Sequence, residues 1–291
     1  MKLAIDIGSN TSKCLLAEKT SNGLEKLFEL SIENRISAGD GRLVSNASQM
    51  VANAVQKFIA EAKNYCKDFQ TIAVATSALR EAPNGVDVAL QASKQCATTI
   101  RILSGEAEAE FSFLGAMSDN AIPNTEKDAF FDLGGGSLEV VFGNKGKVGQ
   151  AFSLPVGAVV LTKKFCASEK ISEQTASEIL SFLDFEFANV NFSTPEILVG
   201  VGGAVVAARL MNEKIKAIKS NKISVDQIKE FIQILSSMSV QERSESFKIA
   251  RNRADIIVPA FLCIVALAKR LSITEIFHTF HNLRYGLILN S

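Results

Sequence analysis

The chain has 291 residues, of which 47% are hydrophobic and 21% charged, and its 31 basic residues balance 31 acidic ones. This length allows two domains, each with its own core, and the composition excludes a disordered chain. A net charge of zero argues against broad binding to nucleic acid or membranes, although it permits a local basic pocket.

The first part of the chain alternates predicted strands and helices. An apolar run from Leu3 to Ile7 that ends at Gly8 predicts a buried strand leading into a tight turn. The elements predicted after it are strands 14–17, 27–36, 71–75 and 99–103, and helices 45–66, 86–97 and 106–117. This order predicts an α/β layer with a mixed sheet.

A polar stretch with a proline, 118–128, is the predicted linker to a second lobe. The elements predicted for the second lobe are a strand at 129–133, a mostly helical remainder interrupted by strands at 196–200 and 275–280, and a tail helix from Asn282. We expect domains at 1–122 and 123–280, with the tail helix 281–291 packed back on the first.

Several features predict a cytoplasmic protein with reduced thiols. The chain starts directly with a strand-like segment and has no signal-peptide pattern. The apolar run from Ile256 to Ala268 contains Pro259 and is too short to span a bilayer, so we interpret it as a buried helix. The five cysteines form no CxxC pair, and neither of the two histidines has a cysteine nearby to complete a zinc site.

The two lobes begin with similar segments. Asp6-Ile-Gly-Ser-Asn-Thr-Ser-Lys-Cys-Leu-Leu aligns without a gap with Asp132-Leu-Gly-Gly-Gly-Ser-Leu-Glu-Val-Val-Phe. Two unrelated hairpins are the alternative, because Asp and Gly are common in turns. The in-register match of acidic, glycine, hydroxyl and apolar positions favours an internal duplication.

Gly-rich turns follow three predicted strands. Glycines let the backbone approach an anion closely, and successive N–H groups can point at phosphate oxygens. A helix that follows such a turn adds a favourable dipole. The predicted phosphate-binding residues are Asp6, Gly8, Ser9, Asn10, Thr11, Gly134, Gly135, Gly136, Ser137, Gly202 and Gly203.

Charged residues near these turns have both a functional and a simpler interpretation. Asp132 and Glu139 could bind Mg²⁺, or could merely cap a turn and face solvent. Arg80 could bind phosphate through two hydrogen bonds, or could be a surface residue paired with Glu81.

Three glutamates, Glu106, Glu108 and Glu110, lie in the next predicted helix. One of them could activate water for attack on a phosphate chain. They cannot all share one face of the helix, so at most two would point towards a ligand. An acidic first turn more often only complements the helix dipole.

Together these segments resemble the exopolyphosphatase and guanosine pentaphosphate phosphohydrolase (Ppx/GppA) family over nearly the whole chain. The motifs that carry the resemblance include 6–11, 75–85, Leu103-Ser-Gly-Glu-Ala-Glu-Ala, 132–139, Leu154-Pro-Val-Gly-Ala, Val201-Gly-Gly-Ala and Arg253-Ala-Asp-Ile-Ile-Val-Pro. The resemblance implies an α/β fold of two actin-like, ribonuclease H-like domains with the active site in the cleft between them. It also implies Mg²⁺-dependent attack of water on a terminal phosphoryl group.

The resemblance further implies individual roles. Glu108 matches the catalytic glutamate, with Glu106 as the weaker substitute, and Arg80 matches the active-site arginine. Asp132 and Glu139 match metal-associated carboxylates, and Gly136 and Ser137 match the phosphate loop. The chain departs from the family pattern at two positions that usually carry glutamate, Ala107 and Tyr285.

The expected substrates are inorganic polyphosphate and pppGpp, which share a terminal phosphoanhydride, and the family suggests a homodimer. The length of the chain mildly favours exopolyphosphatase activity, because longer members continue into further helical domains. Two alternatives remain open. One is an ATP-dependent small-molecule kinase of the same fold, and the other is a non-catalytic polyphosphate or alarmone sensor, suggested by the two departures.

Overall fold

The computed structural model describes residues 1–21, 23–38, 41–144 and 147–290. Its internal packing divides the chain into two units. The first unit comprises Met1–Asn120 and His281–Ser291, and the second comprises Ala121–Phe280. The division between Asn120 and Ala121 falls within the stretch predicted as a linker.

The first unit contains a five-stranded mixed sheet within its described residues. Its strands are β1 (Lys2–Ile7), β2 (Thr11–Thr20), β3 (Gly23–Glu33), β4 (Gln70–Ala75) and β5 (Ile100–Ile102). Its helices are α1 (Ala47–Ala62), α2 (Ser77–Glu81), α3 (Gly85–Cys96), α4 (Gly105–Met117) and the tail helix α12 (Leu283–Leu289). The strand order is β3-β2-β1-β4-β5; β2 is antiparallel to its neighbours, whereas β1, β4 and β5 are parallel.

Both faces of this sheet are covered, because alternate residues of a strand point to opposite faces. On β1, Leu3 and Ile5 pack with residues of α1 and α3, whereas Ala4 packs with residues of α12 and α4. Helices α4 and α12 touch backbone to backbone: a Cβ added to Gly286 would lie 1.8 Å from the carbonyl oxygen of Phe111. The tail helix α12 therefore packs tightly against α4.

The second unit contains a six-stranded mixed sheet within its described residues. Its strands are β6 (Asp128–Leu133), β7 (Leu138–Asn144), β8 (Lys147–Leu154), β9 (Ile197–Val201), β10 (Lys222–Ser224) and β11 (Glu275–His278). Its helices are α5 (Ala158–Phe165), α6 (Glu173–Ala188), α7 (Gly203–Lys216), α8 (Val225–Ser236), α9 (Val240–Phe247), α10 (Arg251–Ala254) and α11 (Ile257–Arg270). The strand order is β10-β11-β9-β6-β7-β8.

Helix α11 confirms the interpretation of the apolar run as a buried helix, because every residue from Ile257 to Ala268 is buried. Pro259 lies in its first turn, where a missing N–H costs no intrahelical hydrogen bond. Among the described residues, no helix combines the length and apolarity needed to cross a membrane. All five cysteines are free thiols.

The sequence prediction missed three elements and placed the end of a fourth too late. The edge strand β8 was not predicted, since most of its side chains are exposed and it contains Gly149. The single-turn helix α2 and the three-residue strand β10 were also missed, because periodicity needs a longer window. Strand β11 ends at His278, two residues earlier than predicted.

Candidate active site

Three predicted residues of the first unit lie near one edge of its sheet. Strands β1, β4 and β5 are parallel neighbours, so their carboxyl ends lie side by side. Asp6 lies near the end of β1, Arg80 in the helix that follows β4, and Glu108 in the helix that follows β5. The topology therefore collects residues that are about a hundred positions apart in sequence.

Arg80 and Glu108 form an ion pair. The Nη1 group of Arg80 donates to Oε2 of Glu108 at 2.6 Å and to the carbonyl oxygen of Leu103 at 3.2 Å. The predicted alternative partner, Glu81, also lies near the guanidinium, but at 3.8 Å. The two side chains are 29% and 32% exposed, so the pair is reachable from solvent and yet held in one orientation.

The structure separates Glu108 from the other two glutamates of its helix. Glu106 and Glu110 are exposed, whereas Glu108 is partly buried. Ser104 caps the helix by accepting a hydrogen bond from the backbone N–H of Ala107 at 3.1 Å. The side chain of Ala107 packs against the apolar cluster that includes α12, so the position where the family usually has glutamate points into a core here.

Asp6 carries a carboxylate oxygen without a partner. Among the described residues, its Oδ1 is shielded from solvent and accepts no hydrogen bond. Burial raises the pKa of Asp6 from 3.8 to about 6; Arg284 and Lys13 oppose this shift and Glu108 adds to it. An unpartnered anionic oxygen repels phosphate, so this geometry suits a bound cation or a protonated acid better than a direct phosphate contact.

The first Gly-rich turn is tight and braced. The backbone N–H of Gly8 donates to the carbonyl oxygen of Thr11 at 3.2 Å, and a Cβ on Gly8 would lie 2.9 Å from that oxygen. The carbonyl oxygen of Asn10 accepts hydrogen bonds from the backbone N–H groups of Asn34 and Arg35 at 2.9 and 3.0 Å.

The second turn is closed by the same type of backbone hydrogen bond, but a different segment of the chain supports it. Gly134 N–H donates to the carbonyl oxygen of Ser137 at 3.0 Å. The carbonyl oxygens of Gly134, Gly135 and Gly136 accept hydrogen bonds from backbone N–H groups at the start of α5, at 2.9 to 3.2 Å. Gly157 is required there, since a Cβ on it would lie 2.4 Å from the backbone of Gly135 and Gly136. The sequence motif around Gly157 gave no role to this residue.

Asp132 and Glu139 are direct cross-strand partners between β6 and β7, so their side chains share one face of the sheet. Oε1 of Glu139 accepts hydrogen bonds from the hydroxyls of Ser137 at 2.5 Å and Ser153 at 3.1 Å. The third turn reaches the same point, because a Cβ on Gly202, whose φ is 91°, would lie 2.8 Å from Oδ1 of Asp132.

A cavity of about 150 Å³ lies beside these turns within the second unit. Gly134 and Gly135 line one side of it, and Gly203 and Arg253 line another. The guanidinium of Arg253 lies against Gly203, where an added Cβ would come within 3.0 Å of Cζ. Sequence reasoning assigned no function to Arg253, since it lies far from the turns along the chain.

A larger cavity, of about 460 Å³, lies at the other end of strands β6 and β7. Residues including Lys127, Asn144 and Gln150 line it, and none of the predicted site residues does.

The donor set of the second unit fits a magnesium ion. Among the described residues, no group of three or more His, Cys, Asp or Glu side chains forms a metal cage. Mg²⁺ does not need one, because it keeps several waters and usually takes one or two carboxylates. The adjacent carboxylates of Asp132 and Glu139, oriented by two hydroxyls, meet that requirement.

The two mixed sheets, each with a Gly-rich turn after a buried strand, define an α/β protein of two units, and comparisons with known proteins identify its family. The Ppx/GppA phosphatase family matches residues 16–291. Exopolyphosphatase 1 of Mycobacterium leprae is 27% identical over 309 aligned positions, which cover 99% of this chain and 89% of that protein. A crystal structure of the Aquifex aeolicus Ppx/GppA phosphatase superposes with a TM-score of 0.86 at 22% identity, covering 99% of this chain and 97% of that one.

A further relative is bifunctional. The 3-dehydroquinate synthase/phosphatase of Fusobacterium nucleatum is 25% identical over 246 positions, or 78% of this chain, but the match covers only 36% of that protein. The chain belongs to the Ppx/GppA phosphatase family. The predicted α/β fold of two units, each built around a mixed sheet, is confirmed.

Proposed function

We propose that this chain is a phosphohydrolase that releases terminal phosphate from inorganic polyphosphate. The observation that carries the proposal is the ion pair between Arg80 and Glu108, which holds a half-buried carboxylate near the end of the strand that carries Asp6. Membership of the family and the similarity to exopolyphosphatases support the substrate class.

In the proposed reaction, Glu108 accepts a proton from a water molecule as the water oxygen attacks the terminal phosphorus. The bridging P–O bond breaks, and the chain leaves one phosphate shorter. The hydrogen bond from Arg80 keeps the carboxylate in a fixed orientation. Positioning and neutralisation of charge supply most of the rate enhancement in phosphoryl transfer.

The Gly-rich turns and Arg253 would bind the phosphate groups. Glycine backbones let phosphate oxygens approach N–H groups closely, and the N-terminus of α7, which starts at Gly203, favours an anion. Arg253 would add a charged hydrogen-bond donor at that point.

Asp132 and Glu139 would hold Mg²⁺, and Asp6 offers a further oxygen for a cation. When bound, Mg²⁺ neutralises charge that develops on the phosphate oxygens.

The proposal is tested by phosphate release from long polyphosphate, pppGpp and ATP, with the wild type and Glu108→Gln. We expect Glu108→Gln to lower kcat for polyphosphate by about 10³-fold with little change in binding, as is typical for loss of a general base. Glu110→Gln is the matched control, because Glu110 is exposed on the same helix. Near-normal turnover by Glu108→Gln would remove Glu108 from this role.

Conversion of pppGpp to ppGpp is a second candidate activity, because pppGpp presents the same terminal phosphoanhydride. The departures from the family pattern do not by themselves argue for a non-catalytic sensor. Ala107 packs in a core, and Tyr285 is buried with its ring stacked on that of His281 at 3.8 Å. Tight binding without phosphate release would support the sensor, and ATP consumption that depends on an added sugar or acid would support a kinase.

A further inference from the structure

Arg243, in α9, is a fully buried cation outside the proposed site. Its guanidinium donates to three carbonyl oxygens from three separate segments: Nε to Leu235 at 2.9 Å, Nη1 to Ala254 at 3.0 Å, and Nη2 to Glu169. Burying a guanidinium is costly unless its N–H groups have hydrogen-bond acceptors. Here each of the three guanidinium nitrogens donates to a carbonyl oxygen. The side chain therefore links α8, α10 and the loop before α6.

The segment that needs this link is α10. Four residues form a single turn, and the cap residue Ala250 provides no side-chain hydrogen bond. A single turn is not stable alone, because helix nucleation is unfavourable. Its position depends on contacts outside the turn, which include the buried side chain of Ala254 and the hydrogen bond from Arg243 to the Ala254 carbonyl.

The residue before Ala254 is Arg253, whose guanidinium lies against Gly203 at the cavity of about 150 Å³. Arg253 is exposed, and among the described residues its side chain has no hydrogen-bond or ion-pair partner. Within the described part of the chain no hydrogen bond holds its side chain, so the contact of the guanidinium with Gly203 depends on where the α10 backbone places the start of that side chain.

We propose that Arg243 is a positioning residue for Arg253: it fixes the backbone of α10 so that Arg253 presents its guanidinium to a phosphate group beside Gly203. The identity of that phosphate group as part of a polyphosphate chain rests on the proposed function.

The test is a double-mutant cycle on the full chain, with the affinity for tripolyphosphate measured by calorimetry. Lysine keeps the charge of Arg243 but cannot reach three carbonyls with a planar fork. We expect about tenfold weaker binding in Arg243→Lys, and a similar or larger loss in Arg253→Ala, as for a lost charged hydrogen bond. In the Arg253→Ala background, Arg243→Lys should change affinity by less than about twofold, because coupled residues are not additive.

Arg251→Ala is the matched control, since Arg251 is an exposed arginine of the same helix outside the cavity, and it should bind tripolyphosphate like the wild type. Unchanged affinity in Arg243→Lys, or equal losses in both backgrounds, would overturn the proposal. If Arg243→Lys does not fold, Ala250→Gly takes its place, because it loosens the same turn without removing the buried cation. The effect of Ala250→Gly on affinity must then also be lost in the Arg253→Ala background.

This outcome is separable from that of the proposed function. A wild type that binds tripolyphosphate but releases no phosphate would contradict the hydrolase, whereas an additive cycle in an active enzyme would contradict only the role of Arg243.

Discussion

The strand–turn–strand segments that begin the two units close their turns in the same way but differ in the charge of their side chains. In each, a glycine N–H closes the turn onto the carbonyl oxygen three residues later, at 3.2 Å in the first unit and 3.0 Å in the second. The strand order β3-β2-β1-β4-β5 of the first sheet recurs as β8-β7-β6-β9-β11 in the second. This correspondence supports the internal duplication inferred from sequence.

The difference lies in one row of side chains across three strands. In the first unit Asp6 pairs with Lys13, and Lys13 pairs with Ser31. The second unit has Asp132, Glu139 and Ser153 at the corresponding positions. We call these the first row and the second row. A single position, Lys13 or Glu139, makes the row neutral or doubly anionic, and a doubly anionic row favours a divalent cation.

Giving the second row the charge of the first should have the largest effect. In Glu139→Lys the ammonium would occupy the side of Asp132 where we propose Mg²⁺ to bind, so kcat should fall by about 10³-fold, or about 4 kcal/mol. Phosphate release from polyphosphate across a range of Mg²⁺ concentrations measures this loss.

Glu25→Lys is the control for the change in net charge, because Glu25 is exposed on the edge strand β3. It should retain wild-type turnover. A Glu139→Lys protein that reaches normal turnover at ordinary Mg²⁺ concentrations would show that the second row does not hold the metal.

Asp6, in the first row, should make the free energy of unfolding depend on pH. The pKa of Asp6 rises on folding from 3.8 to about 6, so between these values the folded chain holds a proton that the unfolded chain has released. The free energy of unfolding therefore falls as pH rises through this window, by about 3 kcal/mol in total.

Asp6→Asn lacks this proton and should not show that decline. Urea unfolding at pH 4 and pH 7, without substrate or metal, should show Asp6→Asn gaining about 3 kcal/mol relative to the wild type at the higher pH. Parallel pH profiles for the two proteins would mean that Asp6 is ionised without strain in the folded chain.

Sequence predicted the segments that begin with Asp6 and Asp132 but not what surrounds them. The apolar strand before Asp6 and the Gly-rich turns have short-range patterns, so β1, β6 and their turns were recognised. Gly157 and Arg253 reach the turns only through folding, and periodicity carries no information about such distant neighbours. Selection of Glu108 among three glutamates came from family resemblance, and the structure adds a physical reason in its partial burial and its pairing with Arg80.

The contact between the second turn and the start of α5 should be sensitive to a single methyl group added at Gly157. Gly157→Ala places a Cβ 2.4 Å from the backbone of Gly135 and Gly136, so we expect about 2 kcal/mol of destabilisation and weaker tripolyphosphate binding. Gly136→Ala is the matched control for stability, because nothing lies within 4 Å of its added Cβ. Equal melting temperatures for the two variants would show that the turn moves freely relative to α5.

The smallest expected effect comes from comparing the serines on the third strand of each row, Ser153 and Ser31. Ser153→Ala removes the 3.1 Å hydrogen bond that orients Glu139 and leaves the hydroxyl of Ser137 as its remaining support. Loss of one such bond costs about 1 kcal/mol, so the Mg²⁺ concentration for half-maximal phosphate release should rise about fivefold. Ser31→Ala makes the same change in the first row, beside a lysine, and should leave the Mg²⁺ requirement unaltered. If both serine variants shift it equally, the metal does not distinguish the rows and the charge at Glu139 is not what recruits it.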